Sequence, residues 1–376
     1  MVLQKLLNKH IDKCYDKYKL LKSVSLSKLT ELKNSYYSSR NTEKSMYPLV
    51  LYIIKNNELD INVYDNDVLH NKDNYKEIKD DRLSQIFEMI RKTIVYALNK
   101  KKVVPNTILY FWLSDRIPWY DNIDNFFPIY LFAKPKNTNF ILFPDNTFEC
   151  MTFSEKYEGQ CYDWAKTKKI VETKCCNITN KINKVYFKGT PTTRRNSRLR
   201  ETLEEYSKNS NWLDVNLDAW QNYVSMDNFC KYKFLLNMGG HYPWSNRFKY
   251  LFLMNSLVIN IDVISINQDN DVSEPAWITF INLIVKPNKH YKNLVMKYYY
   301  TKNKGTVLED ARKKNKEEVD TIYTKLEKIY NEKINDETYN NMVKKGYNRV
   351  KKLDNKHIYR YVYHCIVKNS EINFVE

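Results

Sequence analysis

Residues 229–259 read Phe229-Cys-Lys-Tyr-Lys-Phe-Leu-Leu-Asn-Met-Gly-Gly240-His-Tyr-Pro-Trp-Ser245-Asn-Arg-Phe-Lys249-Tyr-Leu-Phe-Leu-Met-Asn-Ser-Leu-Val-Ile259. An apolar strand runs into a glycine turn, a basic helix start and a second apolar strand. The chain has only six glycines, and two of them, Gly239 and Gly240, stand here. Glycine used so sparingly marks a positive φ or a close approach of the backbone. The helix is expected to open at Ser245 or Asn246, with Arg247 and Lys249 in its first turn. Backbone N–H groups, a helix dipole and two cations then face one point, an arrangement suited to an anion and most simply to a diphosphate.

Outward from this stretch, apolar strands alternate with helical segments. Strands are expected at Tyr47–Lys55, Ile61–Tyr64, Thr107–Leu113, Phe140–Phe143 and Lys184–Lys188, with a turn at Asn56-Asn57. Leu83, Ile86, Phe87, Ile90, Ile94, Val95 and Leu98 follow the i, i+3, i+4, i+7 spacing of an amphipathic helix. Further helices are expected before residue 46, over Arg195–Tyr206, over Leu308–Asn331, and near 336–352 and 356–368. Residues 151–183 are polar and read as a connection between two domains. The alternation argues for α/β layers and parallel sheets.

Composition bounds the function. The net charge is +17 over 376 residues, and 14% of residues are aromatic, 31 of them tyrosine. Such a balance favours an anionic partner: nucleic acid, a membrane surface or a phosphorylated substrate. Lys and Asn also run through every segment, so part of the charge only solvates the surface. The seven cysteines show no C-x-x-C, and the histidines no H-E-x-x-H, so no metal site is expected. An odd cysteine count without a secretory signal fits a reducing compartment, and a cytoplasmic protein is expected. The longest uncharged apolar run, Tyr250–Ile261, falls short of the about 20 residues that span a bilayer.

Three more segments carry chemistry. Phe187-Lys-Gly189-Thr190-Pro-Thr192-Thr-Arg194-Arg195-Asn-Ser-Arg198-Leu-Arg200 leads from a strand through a hydroxyl-rich turn into an Arg-rich helix start, suited to phosphate oxygens. Asp115 follows a buried strand and stands three residues before Pro118, placed either as a general base or as a turn-forming aspartate. His290, in Lys286-Pro-Asn-Lys-His290-Tyr291, reads as a structural residue.

Together these residues resemble glycosyltransferase family 90, the capsule-associated and Rumi-type group. Its F-x-G-[ST]-x-T block corresponds to Phe187–Thr192, and its R-L-R element to Arg198-Leu199-Arg200. Its K-Y-x-[FL] through S-x-R-[FL]-K block corresponds to Lys231–Phe234, Gly239, Ser245-Asn-Arg247 and Phe248-Lys249, with Ser256-Leu-Val258 behind. Pro287–Tyr291 matches its P-x-x-H-Y element, and Pro128–Lys134 resembles its P-x-[FY]-x-F-x-K segment. Asp115 before Pro118 resembles the family's Asp–Pro pair with one residue inserted. The resemblance covers about residues 105–365.

It implies a GT-B architecture: two Rossmann-like domains facing a cleft, with extra N- and C-terminal helices. Residues 1–170 would form the acceptor and catalytic-base domain, with 354–376 packing back on it, and 171–353 the sugar-nucleotide domain. The implied reaction is inverting transfer of a sugar, glucose or xylose, from a UDP-sugar to a hydroxyl of a protein or glycan. Asp115 is the implied base. Gly189, Thr190, Thr192, Arg195, Arg198, Gly239, Gly240, Ser245, Arg247 and Lys249 are the implied donor-binding residues, with Arg194 competing with Arg195 and Arg198 for one role. Neither metal nor other cofactor is expected; the nearest approach to a D-x-D motif, Asp269-Asn270-Asp271, lacks an adjacent glycine. The rival reading is a basic nucleic-acid-binding or processing protein.

Overall fold

The structure is a computed structural model that describes residues 2–18, 24–25, 49–65, 68–71, 73, 81–113, 128–150, 162–175, 180–192, 196–219, 226–240, 243–267, 271–299, 302–303, 306–307, 309–332, 336–372 and 374–375. Asp115, Arg194, Arg195, Asp269 and Asn270 lie outside these residues. The chain divides into two compact units. One comprises 1–134, 138–150 and 354–376; the other comprises 135–137 and 151–353.

In the first unit, helix α1 (Val2–Tyr18) precedes strands β1 (Leu49–Lys55), β2 (Glu58–Asp65) and β3 (Val68–His70), helix α2 (Asp81–Asn99), and strands β4 (Thr107–Trp112), β5 (Ile129–Leu131) and β6 (Ile141–Leu142). The sheet order is β3-β2-β1-β4-β5-β6. Asn56 and Asn57 both take positive φ, 53° and 67°, and close β1 on β2 in a two-residue hairpin. A loop that short joins only antiparallel strands, so this half of the sheet departs from the parallel expectation. From β4 onward the pairing is parallel. α2 buries Leu83, Ile86, Met89, Ile90, Ile94 and Ala97 along one face, whereas Val95 and Leu98, expected on that face, are exposed. The C-terminal helix Asn355–Ser370 is capped by Asp354, whose carboxylate accepts from the His357 N–H, and buries Ile358, Tyr361, Val362, Cys365 and Ile366 in this unit.

The second unit opens with α3 (Trp164–Cys175), a helix in the stretch expected to be a connection. Then come β7 (Ile182–Lys188), α4 (Asn196–Ser207), β8 (Leu213–Asn216), β9 (Tyr232–Met238), β10 (Leu257–Ile266), β11 (Val272–Glu274), β12 (Lys292–Tyr299), α5 (Glu309–Asn331) and α6 (Asp336–Lys351). Strands β8, β7, β9, β10 and β12 pair in parallel, and β11 pairs antiparallel with the end of β10. One face of the sheet is a hydrophobic core. Val185, Phe187, Leu236, Met238, Ile259 and Ile261 pack there with Leu199 and Leu203 of α4, Val319 and Ile322 of α5, and Met342 and Val343 of α6. The architecture is mixed α/β, as the alternation of elements indicated.

Cys175 and Cys230 form a disulfide with Cα atoms 5.4 Å apart, and Cys150 is disulfide-bonded as well. This corrects the expectation of reduced thiols. Pairing between cysteines 55 residues apart has no local sequence signature. Among the described residues, Cys14 and Cys365 are buried and take no part in a disulfide.

Candidate active site

The carboxyl ends of β7 and β9 bring the two glycine turns of the sequence together. This edge is where ligands bind in open α/β sheets. β7 ends at Lys188, and the N–H of Gly189 then donates to the Asn216 carbonyl at 2.9 Å. A Cβ on Gly189 would lie 2.7 and 2.8 Å from the buried Phe187 ring, so the glycine is required by a close approach.

The Phe187 ring carries two cations. The guanidinium of Arg200 lies 5.0 Å from its centroid and that of Arg247 lies 5.2 Å from it, with Arg247 also 5.2 Å from the Phe229 ring. Arg200 is buried on α4, beside the core residue Leu199. It donates to the Thr190 carbonyl at 2.7 Å and the Met238 carbonyl at 3.1 Å, tying the exits of β7 and β9. Its Nε has no hydrogen-bond partner. Burial, and next the charge of Arg247, pull its pKa down to about 9. Arg247 donates to the Lys188 carbonyl at 2.5 Å. Lys188 is itself ion-paired to Asp218 at 2.8 Å. The buried Arg200 and the half-buried Arg247 repel one another, and an anion at this edge relieves that repulsion.

The predicted donor-binding residues fall into three groups. Gly189, Thr190, Thr192 and Arg247 gather at this edge. Thr192 is buried, and its hydroxyl has no hydrogen-bond partner. Arg198 does not join them: it is exposed on α4, two residues from Arg200, and a helical step of two residues turns a side chain to another face. Arg200, absent from the sequence prediction of donor-binding residues, is the arginine that reaches the strand ends. The signal for it was the phase set by Leu199 and Leu203, which turns the residue after Leu199 closer to the buried face than the residue before it.

The expected helix at Ser245 is a single turn, Phe248–Leu251, so it contributes little dipole. The Ser245 hydroxyl accepts from the Arg247 N–H at 3.2 Å and so starts that turn. Gly240 donates its N–H to the Trp244 carbonyl at 3.2 Å, and a Cβ there would meet nothing within 4 Å. Its φ is also outside the left-handed range, so neither reason advanced for glycine applies at Gly240. Lys249 is buried, donates to the Asn246 carbonyl at 3.1 Å and lies over the Tyr250 ring at 4.6 Å.

On the opposite sheet face, three asparagines stand side by side. Asn237 of β9 is in register with Asn260 of β10, which is in register with Asn293 of β12. Asp262, two residues beyond Asn260, completes the group. Asn237 and Asn260 interrupt otherwise apolar strand runs, a signal the sequence held in plain view. His290 is buried, and its Nδ1 accepts from the Lys286 N–H at 2.9 Å, which bears out a structural role.

Among the described residues no group of His, Cys, Asp or Glu is placed to hold a metal ion, and no helix is long and apolar enough to cross a membrane. One protein-family model, described as Glycosyl transferase family 90, matches residues 116–292. That span contains both glycine turns, Arg200, Arg247 and two of the three asparagines, Asn237 and Asn260. No curated protein sequence is significantly similar to the chain.

Proposed function

We propose that this chain, which matches the Glycosyl transferase family 90 model over residues 116–292, transfers a sugar from a UDP-sugar to a hydroxyl of a protein or glycan with inversion at the anomeric carbon. The observation that carries this reading is the pair Arg200 and Arg247 over one buried ring, at the carboxyl edge of a parallel sheet. Donor binding there puts the diphosphate against both guanidinium groups. As the acceptor oxygen bonds to the anomeric carbon, the bond to the diphosphate breaks and its electron pair leaves on UDP. The arginines stabilise that developing charge, an effect of about 3–4 kcal/mol per well-placed donor. Asp115, in the role the family resemblance implies, takes the proton of the acceptor hydroxyl. The proposal includes the GT-B architecture, with the donor held by the second domain, and catalysis without a divalent metal. Glucose or xylose is the donor sugar.

Calorimetry with UDP and UDP-glucose tests it. The parent chain is expected to bind both, and Arg247→Ala to bind each at least tenfold more weakly, because a charge-assisted contact is lost. Asp115→Asn is expected to bind like the parent and to release no product. Equal affinity of Arg247→Ala and the parent would remove the arginines from the site. Transfer by Asp115→Asn within a few-fold of the parent would place the base elsewhere.

A further inference from the structure

Asn237, Asn260, Asn293 and Asp262 form one closed hydrogen-bond chain with a fixed direction. A carboxylate only accepts, and Asp262 accepts twice: from Asn260 Nδ2 at 2.7 Å and from Asn293 Nδ2 at 2.9 Å. Asn260 Nδ2 also donates to Asn293 Oδ1 at 2.8 Å, which commits both its hydrogens. Asn260 therefore turns its Oδ1 toward β9, where it accepts from Asn237 Nδ2 at 2.7 Å. That leaves the Oδ1 of Asn237, and this oxygen has no hydrogen-bond partner although Asn237 is 5% exposed. Asp262 thus sets, through the asparagines, which atom of Asn237 is left without a partner.

Asn237 also belongs to the wall of a recess. Gly239, Ser245, Asn260, Asp262 and Thr279 line the same space, which holds about 310 Å³ free of atoms, its mouth included. The part that admits a water-sized group is about 20 Å³, room for one hydroxyl and not for a sugar ring. Burial raises the Asp262 carboxyl above its ordinary range, against the opposing bonds from Asn293 and Asn260 and the charge of Lys136. A buried acceptor left unmade in the middle of a sheet is costly, and a hydrogen-bond donor that comes and goes explains its retention. A strand of Leu, Ile and Val has no need of such a group for its fold.

We propose that this recess reads one hydroxyl of the nucleotide-sugar donor, with Asn237 Oδ1 as the acceptor and Asp262 as the residue that positions it. The inference rests on the donor-site reading above. The hydroxyl comes either from the transferred sugar or from the ribose; both present the same O–H donor. A site built to accept a hydroxyl proton discriminates strongly against an analogue lacking it, because its own buried oxygen is then left bare.

The test is calorimetry on the full chain with UDP-glucose, UDP and 2′,3′-dideoxy-UDP, comparing the parent with Asn237→Leu and Asn237→Ser. Loss of at least tenfold in affinity for UDP-glucose alone assigns the recess to the sugar. Loss for UDP-glucose and UDP, but not for the dideoxy nucleotide, assigns it to the ribose. Either result supports the inference. Unchanged affinity for all three ligands, or equal weakening of all three, overturns it while Arg247→Ala still loses affinity. If the parent binds no nucleotide at all, the donor-site reading falls and this inference with it. Should Asn237→Leu fail to fold, Asn237→Ser carries the same comparison, and the parent's own preference for UDP over its dideoxy analogue reads the ribose arm without any variant.

Discussion

Arg198 and Arg200 differ by two positions in the chain and by their whole environment in the fold. Both sit on α4 beside Leu199, yet Arg198 is exposed and Arg200 is 6% exposed, bonded to two strand-end carbonyls. Arg200→Ala removes a cation from the proposed diphosphate site and also leaves the Thr190 and Met238 carbonyls without that donor. It is expected to cost about 1–3 kcal/mol of stability and at least tenfold in UDP affinity. Arg198→Ala is expected to leave both within error, as surface substitutions usually do. Denaturant unfolding and calorimetry on the two variants check the pair, and equal behaviour would contradict the assignment. The sequence placed an Arg-rich element here correctly. Which arginine turned inward was legible only by phasing the helix on Leu199 and Leu203, because residue type alone does not distinguish neighbours on a helix.

At the scale of an element, the exit of β7 depends on Gly189. Alanine there drives a Cβ into the Phe187 ring, and that ring supports both guanidinium groups. Overpacking of this kind costs about 1–3 kcal/mol, and the expected consequence is a lower melting temperature together with weakened UDP binding. Gly240→Ala, with open space around its Cβ, is expected to melt with the parent. Thermal unfolding of both variants decides whether the two turns differ as described. Strands β7, β9 and β10 were legible because each is a run of apolar residues ended by a turn signal. β12 was not. Its sequence Lys-Asn-Leu-Val-Met-Lys-Tyr-Tyr mixes charge into a strand whose Val295 and Lys297 remain exposed, and only its eight-residue register with β10 defines it. β8 was not legible either, because four residues, Leu213–Asn216, are too few to show a period. The asparagine row was legible only in part: Asn237 and Asn260 break apolar runs, but its members come from three strands and meet only when the register is set.

For the whole molecule, the surplus of 61 basic over 44 acidic side chains says less about function than the buried Arg200 and the half-buried Arg247 do. Global stability instead turns on features composition does not show. His290 is held neutral: burial, followed by the charge of Arg349, lowers its pKa from 6.5 to about 4. Between those values the unfolded chain binds a proton that the folded chain does not. Its contribution is therefore full above about pH 6.5 and falls away as pH drops toward 4. His290→Asn keeps an acceptor for the Lys286 N–H and removes the titration, so unfolding measured from pH 7 to 4 should fall less steeply in the variant than in the parent. The Cys175–Cys230 bond acts on the other state. It closes a loop of 55 residues in the unfolded chain, which corresponds to a stabilisation of about 4 kcal/mol. The double variant Cys175→Ser, Cys230→Ser is expected to lose about that much in denaturant unfolding, and the parent to lose it on reduction. Peptide mapping without reductant should recover residues 175 and 230 in one cross-linked fragment. Recovery of both as free thiols from protein made in an oxidising compartment would contradict the bond and return the second unit to stability from its core alone.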